Sequence, residues 1–210
     1  MTLPQPPILV ISDRHQARQP LEQVAEAVFT AGGRWLLVRE KDLAAEARLA
    51  LVRQILVIAR PFGASVMTSA DVTAVRETGA VGVHLPDGGD VASARAVLGT
   101  GACIGYSAHN GAGAAAAVNA GADYVTLSPI FPSISKPDYG PALGLAALRD
   151  VAARLPVLAL GGVTVETVSK CLDAGAAGVA VMGAVMSADD PGAVMAALLA
   201  KAVAPAGQRR

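Results

Sequence analysis

Arg39 and Lys41 flank Glu40 at the end of an otherwise apolar run, Trp35–Arg39. Alternate residues of an extended segment share a face, so both cations point the same way. Two cations on one face suit a polyanionic substrate, and ion pairing with Glu40, Asp42 or Asp13 is the competing use. A second anion signal is Gly161-Gly162-Val163-Thr164, which joins a predicted strand to a predicted helix. Backbone N–H groups in such a turn, together with a helix N-terminus, attract phosphate. A tight turn with no ligand also uses Gly161-Gly162. Gly183 opens a predicted short extra helix after the last strand, and its loop would complete the phosphate site. Ser133-Ile134-Ser135-Lys136 adds two hydroxyls and a cation in a long loop stiffened by Pro129, Pro132, Pro137 and Pro141. That loop reads either as functional or as a solvated surface.

The chain has three His. His109, with Ser107, has the chemistry for proton transfer near neutrality, and a helix-capping or structural role accounts for it equally. His84 lies in a buried run and is expected to be a hydrogen-bonded structural group. His15 is expected at the surface. Their separation does not match zinc-ligand spacing. Cys103 and Cys171 read as small core residues.

The elements that must position these groups alternate along the chain. Eight short apolar runs read as strands: Ile8–Ser12, Trp35–Arg39, Ala64–Thr68, Val81–Leu85, Ala102–Ser107, Tyr124–Ser128, Pro156–Leu160 and Gly178–Met182. They are nearly continuously apolar, as strands buried on both faces are. Helical stretches follow at 20–31, 42–58, 70–78, 90–98, 110–120, 142–154, 164–174 and 190–202. Eight such units define a (β/α)8 TIM barrel, at about 26 residues per unit. Ile55–Ala59 would pass as a strand alone, but it follows Leu43–Arg53 without a breaker and reads as the end of a buried helix. A ninth strand would instead favour a doubly wound open sheet. Glycines at 79, 121 and 175 each stand where a helix ends and a strand begins. In a barrel, chemistry collects at the C-terminal strand ends, where the polar residues above all fall.

Composition bounds the rest. The chain has 210 residues, 53% of them hydrophobic, 16% charged and 3% aromatic, with zero net charge. It contains 44 Ala and 22 Gly. This predicts one domain over 1–210, with loose tails at 1–7 and 203–210. Neutrality argues against nucleic-acid or anionic-membrane partners. No apolar run reaches about 18 residues, so no transmembrane helix is expected. Residues 1–7 lack signal-peptide character, and two Cys make no disulfide framework, so a cytoplasmic protein is expected.

Taken together, these segments resemble thiamine phosphate synthase and its close relative, the thiazole tautomerase, over nearly the whole chain. The carrying segments are Ile11-Ser12-Asp13-Arg14, Val38-Arg39-Glu40-Lys41, Gly82-Val83-His84-Leu85, Ile104-Gly105-Tyr106-Ser107-Ala108-His109, Gly121-Ala122-Asp123-Tyr124-Val125, Ser128-Pro129-Ile130-Phe131-Pro132, Ser133-Ile134-Ser135-Lys136-Pro137 and Leu160-Gly161-Gly162-Val163. The resemblance implies the same barrel. It also implies a reaction in which a pyrimidine carried on a diphosphate is joined to a thiazole phosphate, releasing diphosphate. By that resemblance Arg39 and Lys41 hold the diphosphate, with Lys136 helping from the opposite loop. Ser133, Ser135, Gly161, Gly162 and the backbone near Gly183 hold the thiazole phosphate, and Ser107 touches the pyrimidine.

The synthase is the leading reading, favoured by the Ser128–Pro132 loop and Lys136, and the departures support the relative as the runner-up. The synthase pattern has Gln at the place of Leu37, and Asn-Asp, with a Mg2+-binding Asp, at the place of Ser69-Ala70. Its second metal-binding Asp aligns with Gly89, which leaves Asp90 and Asp87 as the candidate ligands. A Thr pair becomes Ser133 and Ser135, and a Ser becomes Gly183. The tautomerase binds a thiazole phosphate carboxylate, moves a proton without metal and uses a His at the place of His109. Thus Mg2+ is implied by the synthase reading and no cofactor by the tautomerase reading. A non-catalytic phosphothiazole-binding or regulatory protein is the third reading. All imply small phosphorylated ligands, and a homo-oligomer is compatible with so small a barrel.

Overall fold

The apolar runs become eight parallel strands: β1 (Ile8–Ile11), β2 (Trp35–Val38), β3 (Ser65–Ser69), β4 (Gly82–Leu85), β5 (Cys103–Ala108), β6 (Tyr124–Leu127), β7 (Val157–Ala159) and β8 (Gly178–Val181). Each pairs with the next, and β8 pairs with β1, closing the barrel. This computed structural model describes residues 2–132 and 141–203. The helices between strands are α1 (Leu21–Thr30), α2 (Ala45–Ala59), α3 (Val72–Thr78), α4 (Val91–Leu98), α5 (Gly111–Asn119), α6 (Gly144–Ala152) and α7 (Val168–Asp173), followed after β8 by α8 (Gly183–Met186) and α9 (Pro191–Val203). The doubly wound alternative is excluded by closure. Ile55–Ala59 ends α2, with Ile55 and Ala59 buried.

Strict alternation divides the strand residues into two cores. Leu9, Ile11, Trp35, Leu37, Met67, Cys103, Tyr124, Leu158 and Ala180 fill the barrel interior. Their sequence neighbours, among them Ile8, Val10, Leu36, Val38, Val66 and Val83, pack outward under the helices. Each such apolar side chain contributes about 1.5–3 kcal/mol on burial. Short helices are pinned at their starts by Asp71, Asp90 and Asn110, which accept from the N–H groups of Ala74, Ser93 and Gly113. Each such cap is worth about 1 kcal/mol.

Residues 2–7 differ from the loose tail expected of them. Leu3 packs against the interior cluster, and the Pro7 carbonyl accepts from the Val179 N–H at 2.9 Å. The open base of a barrel offers both apolar surface and unpaired strand groups, and this segment takes up some of each. Residues 204–210 lie outside the described residues. Among the described residues, no helix is long and apolar enough to cross a membrane.

Candidate active site

Carried past the strand ends, the inward alternation builds a cavity of about 290 Å³ at the C-terminal mouth. After Trp35 and Leu37 it brings in Arg39, and after Tyr124 and Thr126 it brings in Ser128. The wall from β7, β8, β1 and β2 is apolar, with Leu160, Met182, Ile11 and Leu37. The wall from β3 to β6 presents Ser69, His84, Ser107 and Ser128.

The floor is polar and uncharged. His84 is 5% exposed; its Nδ1 meets the Tyr124 hydroxyl and its Nε2 meets the Ser107 hydroxyl, both at 3.0 Å. Burial, aided by the positive charge of Arg39 and Lys41, pushes its pKa down to about 3, so the ring is neutral at physiological pH. Gly105 makes room for this pair. A Cβ there would lie 2.2 Å from Tyr124 Cζ and 2.4 Å from His84 Nδ1. His84 is the hydrogen-bonded structural His expected from its buried run, and it also forms part of the cavity wall. Beside Ser107 in the strand register, the Thr126 hydroxyl is buried with no hydrogen-bond partner among the described residues.

His109 lines the cavity beside Ser107. Its Nδ1 lies 2.9 Å from the Ser128 carbonyl oxygen. A carbonyl only accepts, so Nδ1 carries the proton and Nε2 is the basic nitrogen. Ser128 was not singled out from sequence, although the alternation that turns Tyr124 inward also turns Ser128 inward.

Arg39 and Lys41 both line the cavity, as their spacing predicts. Behind them a charged network joins the β1 and β2 loops. Glu40 is 2% exposed and accepts from the Ser12 hydroxyl at 2.6 Å and from the Arg14 N–H at 3.2 Å. The Arg14 guanidinium pairs with Glu40 and Asp42, and Asp42 also meets His15. Hydrogen bonds from Arg14 and His15 hold the Asp42 carboxyl well below the usual carboxylate range. His15 is exposed, as expected.

The β3–β4 side carries fewer charges. Asp87 lines the cavity and accepts from the Tyr106 hydroxyl at 2.8 Å. Asp90 does not line it. This exposed carboxylate caps α4 through the N–H and hydroxyl of Ser93 at 2.9 and 2.6 Å. Its candidacy as a metal ligand is therefore corrected: an Asp that starts a helix directs its oxygens at that helix's first turn. Ser69-Ala70 supplies no carboxylate. Among the described residues no group of three or more His, Cys, Asp or Glu could hold a metal ion. The described residues thus do not fit a resident Mg2+.

Across the mouth, Gly161 lines the cavity, while Gly162 and Gly183 lie in the adjoining β7 and β8 loops without lining it. Gly161 has φ +90, and a Cβ there would lie 2.7 Å from Pro129 Cα, so this turn requires glycine. The helix predicted from 164 begins only at Val168. The Thr167 hydroxyl takes the Thr164 N–H at 2.8 Å, fixing a turn where the helix was expected to start. Gly183 does open a short helix, as expected. Ser133, Ser135 and Lys136 lie outside the described residues.

A closed parallel barrel with cations and a glycine turn at its C-terminal mouth is the architecture of phosphate-handling TIM-barrel enzymes. The comparisons narrow that class. The family model for thiamine monophosphate synthase matches residues 8–185. A putative thiamine-phosphate synthase of Geobacter sulfurreducens is 41% identical over 197 residues, covering 92% of each chain. A thiamine-phosphate synthase of Geobacillus thermodenitrificans is 36% identical, covering 91% of this chain and 89% of that protein. The chain belongs to the thiamine monophosphate synthase family. Among solved structures, a thiamine phosphate pyrophosphorylase from Pyrococcus furiosus superposes with a TM-score of 0.84 at 23% identity, over 94% of this chain and 96% of that one, which supports the fold.

Proposed function

We propose that this chain is a transferase of thiamine biosynthesis, joining hydroxymethylpyrimidine diphosphate to thiazole phosphate. The observation that carries the reading is the division of the cavity: two cations and a glycine turn at its mouth, above an uncharged hydrogen-bonding floor. In the reaction the bond between the pyrimidine methylene carbon and the diphosphate oxygen breaks, and its electron pair leaves with the diphosphate. The thiazole nitrogen lone pair then forms the new C–N bond.

Arg39 and Lys41 take the charge that develops on the leaving diphosphate, which is often the largest catalytic contribution. The pyrimidine becomes cationic as the diphosphate departs. His84, neutral with its pKa near 3, adds no opposing positive charge beneath it. Ser107, bonded to His84, presents its hydroxyl to the pyrimidine. Gly161, Gly162 and the backbone at Gly183 receive the thiazole phosphate from the other side, with Ser133 and Ser135 contributing from the loop after β6, and Lys136 of that loop helps Arg39 and Lys41 hold the diphosphate. No step is routed through Mg2+; any divalent ion entering with the substrate would find Asp87 as the carboxylate on the wall. The partners proposed are small phosphorylated molecules, and the compartment is the cytoplasm.

The test is a coupled assay with both substrates, with and without Mg2+. Formation of thiamine phosphate supports the reading, and no turnover at saturating substrates and Mg2+ refutes it. One observation favours a second reading. The Nδ1 of His109 is held on the Ser128 carbonyl, which suits Nε2 to move a proton on a thiazole phosphate carboxylate. Metal-independent aromatisation of that compound, abolished by His109→Ala, would select it.

A further inference from the structure

We propose that Glu40 and Ser12 are positioning residues that set Arg39 and Lys41 at the cavity rim. This rests on the reading of those two cations as an anion site. β2 leaves the ladder at Val38, so strand pairing no longer fixes the direction of the residues that follow. A side chain does so instead. The Arg39 N–H donates to Ser12 Oγ at 2.9 Å, and the Ser12 hydroxyl donates to Glu40 Oε1 at 2.6 Å. One hydroxyl thus ties the Arg39 backbone to the Glu40 carboxylate.

Glu40 is buried, and a buried carboxylate is costly unless its oxygens are met by donors. Three donors converge on it: the Ser12 hydroxyl, the Arg14 N–H and the Arg14 guanidinium. Glu40 is thereby turned back toward the β1 loop. Its neighbours on either side, Arg39 and Lys41, take the opposite face and line the cavity. A carboxylate left loose between two site cations would instead compete with an incoming anion for them. Arg14 supplies the guanidinium that pairs with Glu40, and it comes from outside the cavity lining.

The test is calorimetric titration of the full chain with inorganic pyrophosphate in metal-free buffer. Arg39→Ala is expected to weaken binding about a hundredfold, and Glu40→Gln about tenfold, since an amide offers fewer acceptors to three donors. The double variant is expected to lose less than the product of the two single losses, because Glu40 acts in part through the Arg39 position. The sign is informative as well. If Glu40 mattered only as a charge, its removal would tighten pyrophosphate binding. Tighter or unchanged binding in Glu40→Gln, or losses that simply multiply in the double variant, overturns the proposal. Unchanged binding in Arg39→Ala overturns it together with the anion-site reading beneath it. Should Glu40→Gln fail to fold, Ser12→Ala keeps the carboxylate and removes the link; it is expected to weaken binding about threefold to tenfold, and wild-type affinity in that variant overturns the proposal.

Discussion

On the β1–β2 side of the mouth, Ser12, Arg14, His15, Arg39, Glu40, Lys41 and Asp42 crowd into two short loops. On the β3–β4 side, Ser69 and Ala70 end one strand, and Asp87 is the charged residue that reaches the cavity. The two rims adjoin, since β2 pairs with β3, and both stand over the same neutral floor. The first rim backs its cavity-lining cations with a second layer of charge, in which Arg14 pairs with Glu40. The second holds its loop through one phenol: the Tyr106 hydroxyl accepts from the Gly88 N–H and donates to the Asp87 carboxylate, both at 2.8 Å. On the proposed reading, a site so divided would handle anions through the cations of one rim, and carboxylates that would recruit a counter-ion are scarce on the adjoining one.

Removing a cation from the dense rim should break the contrast most severely. Arg39→Ala is expected to lower kcat/KM of the coupled reaction by about 10²–10³-fold, the usual cost of losing a charge-stabilising donor. A loss below tenfold would mean that the rim's charge is not used in the reaction. The floor comes next. Gly105→Ala pushes a methyl group into Tyr124 and His84, and overpacking of this kind costs about 1–3 kcal/mol. Urea denaturation that shows no change would mean that the pair relaxes freely, and then the floor is not the close-packed layer that Gly105 implies.

The neutrality of the floor predicts a pH dependence. The folded pKa of His84, near 3, lies below its unfolded value of about 6.5. Between those values the unfolded chain binds the extra proton, so stability rises with pH across the window. Read in the acid direction, stability falls as pH drops below about 6.5 and stops responding to this group below about 3. His84→Gln removes the group, so the stability lost between pH 7 and pH 4.5 should be smaller than in the wild type. Equal losses in both proteins would show that His84 is not the desolvated neutral group described above.

The barrel itself was legible because buried parallel strands write themselves as short apolar runs, and because Gly79, Gly121 and Gly175 punctuate them at positive φ. The shared orientation of Arg39 and Lys41 followed from alternation alone. The support behind them did not: Glu40 is held by Ser12 and Arg14, 28 and 26 residues away, and only the β1–β2 pairing brings them together. The start of α7 was misplaced for a local reason, since a hydroxyl that can cap a turn or a helix gives the same letter in either case. The resemblance points to Asp90 because it stands one place from Gly89, whereas the first turn of α4 claims it.

The smallest expected effect sits on the sparse rim and is the most specific to it. Ala70 is a non-glycine residue at positive φ among the described residues, with φ 60, a region that costs an L side chain about 1–2 kcal/mol and that Asn, Asp and Gly tolerate best. Its N–H donates to the His84 carbonyl at 2.9 Å, so the strained residue is tied to the floor. Ala70→Gly should relieve the strain but loosen the unfolded chain, for a net gain of no more than about 1 kcal/mol in urea denaturation. Ala70→Asp should fit the same backbone and add a carboxylate to a strand end that lacks one. If the two rims differ in the way argued here, that variant should depend more steeply on Mg2+ in the coupled assay than the wild type does. An identical Mg2+ dependence in Ala70→Asp would mean that this strand end does not face the charge being transferred.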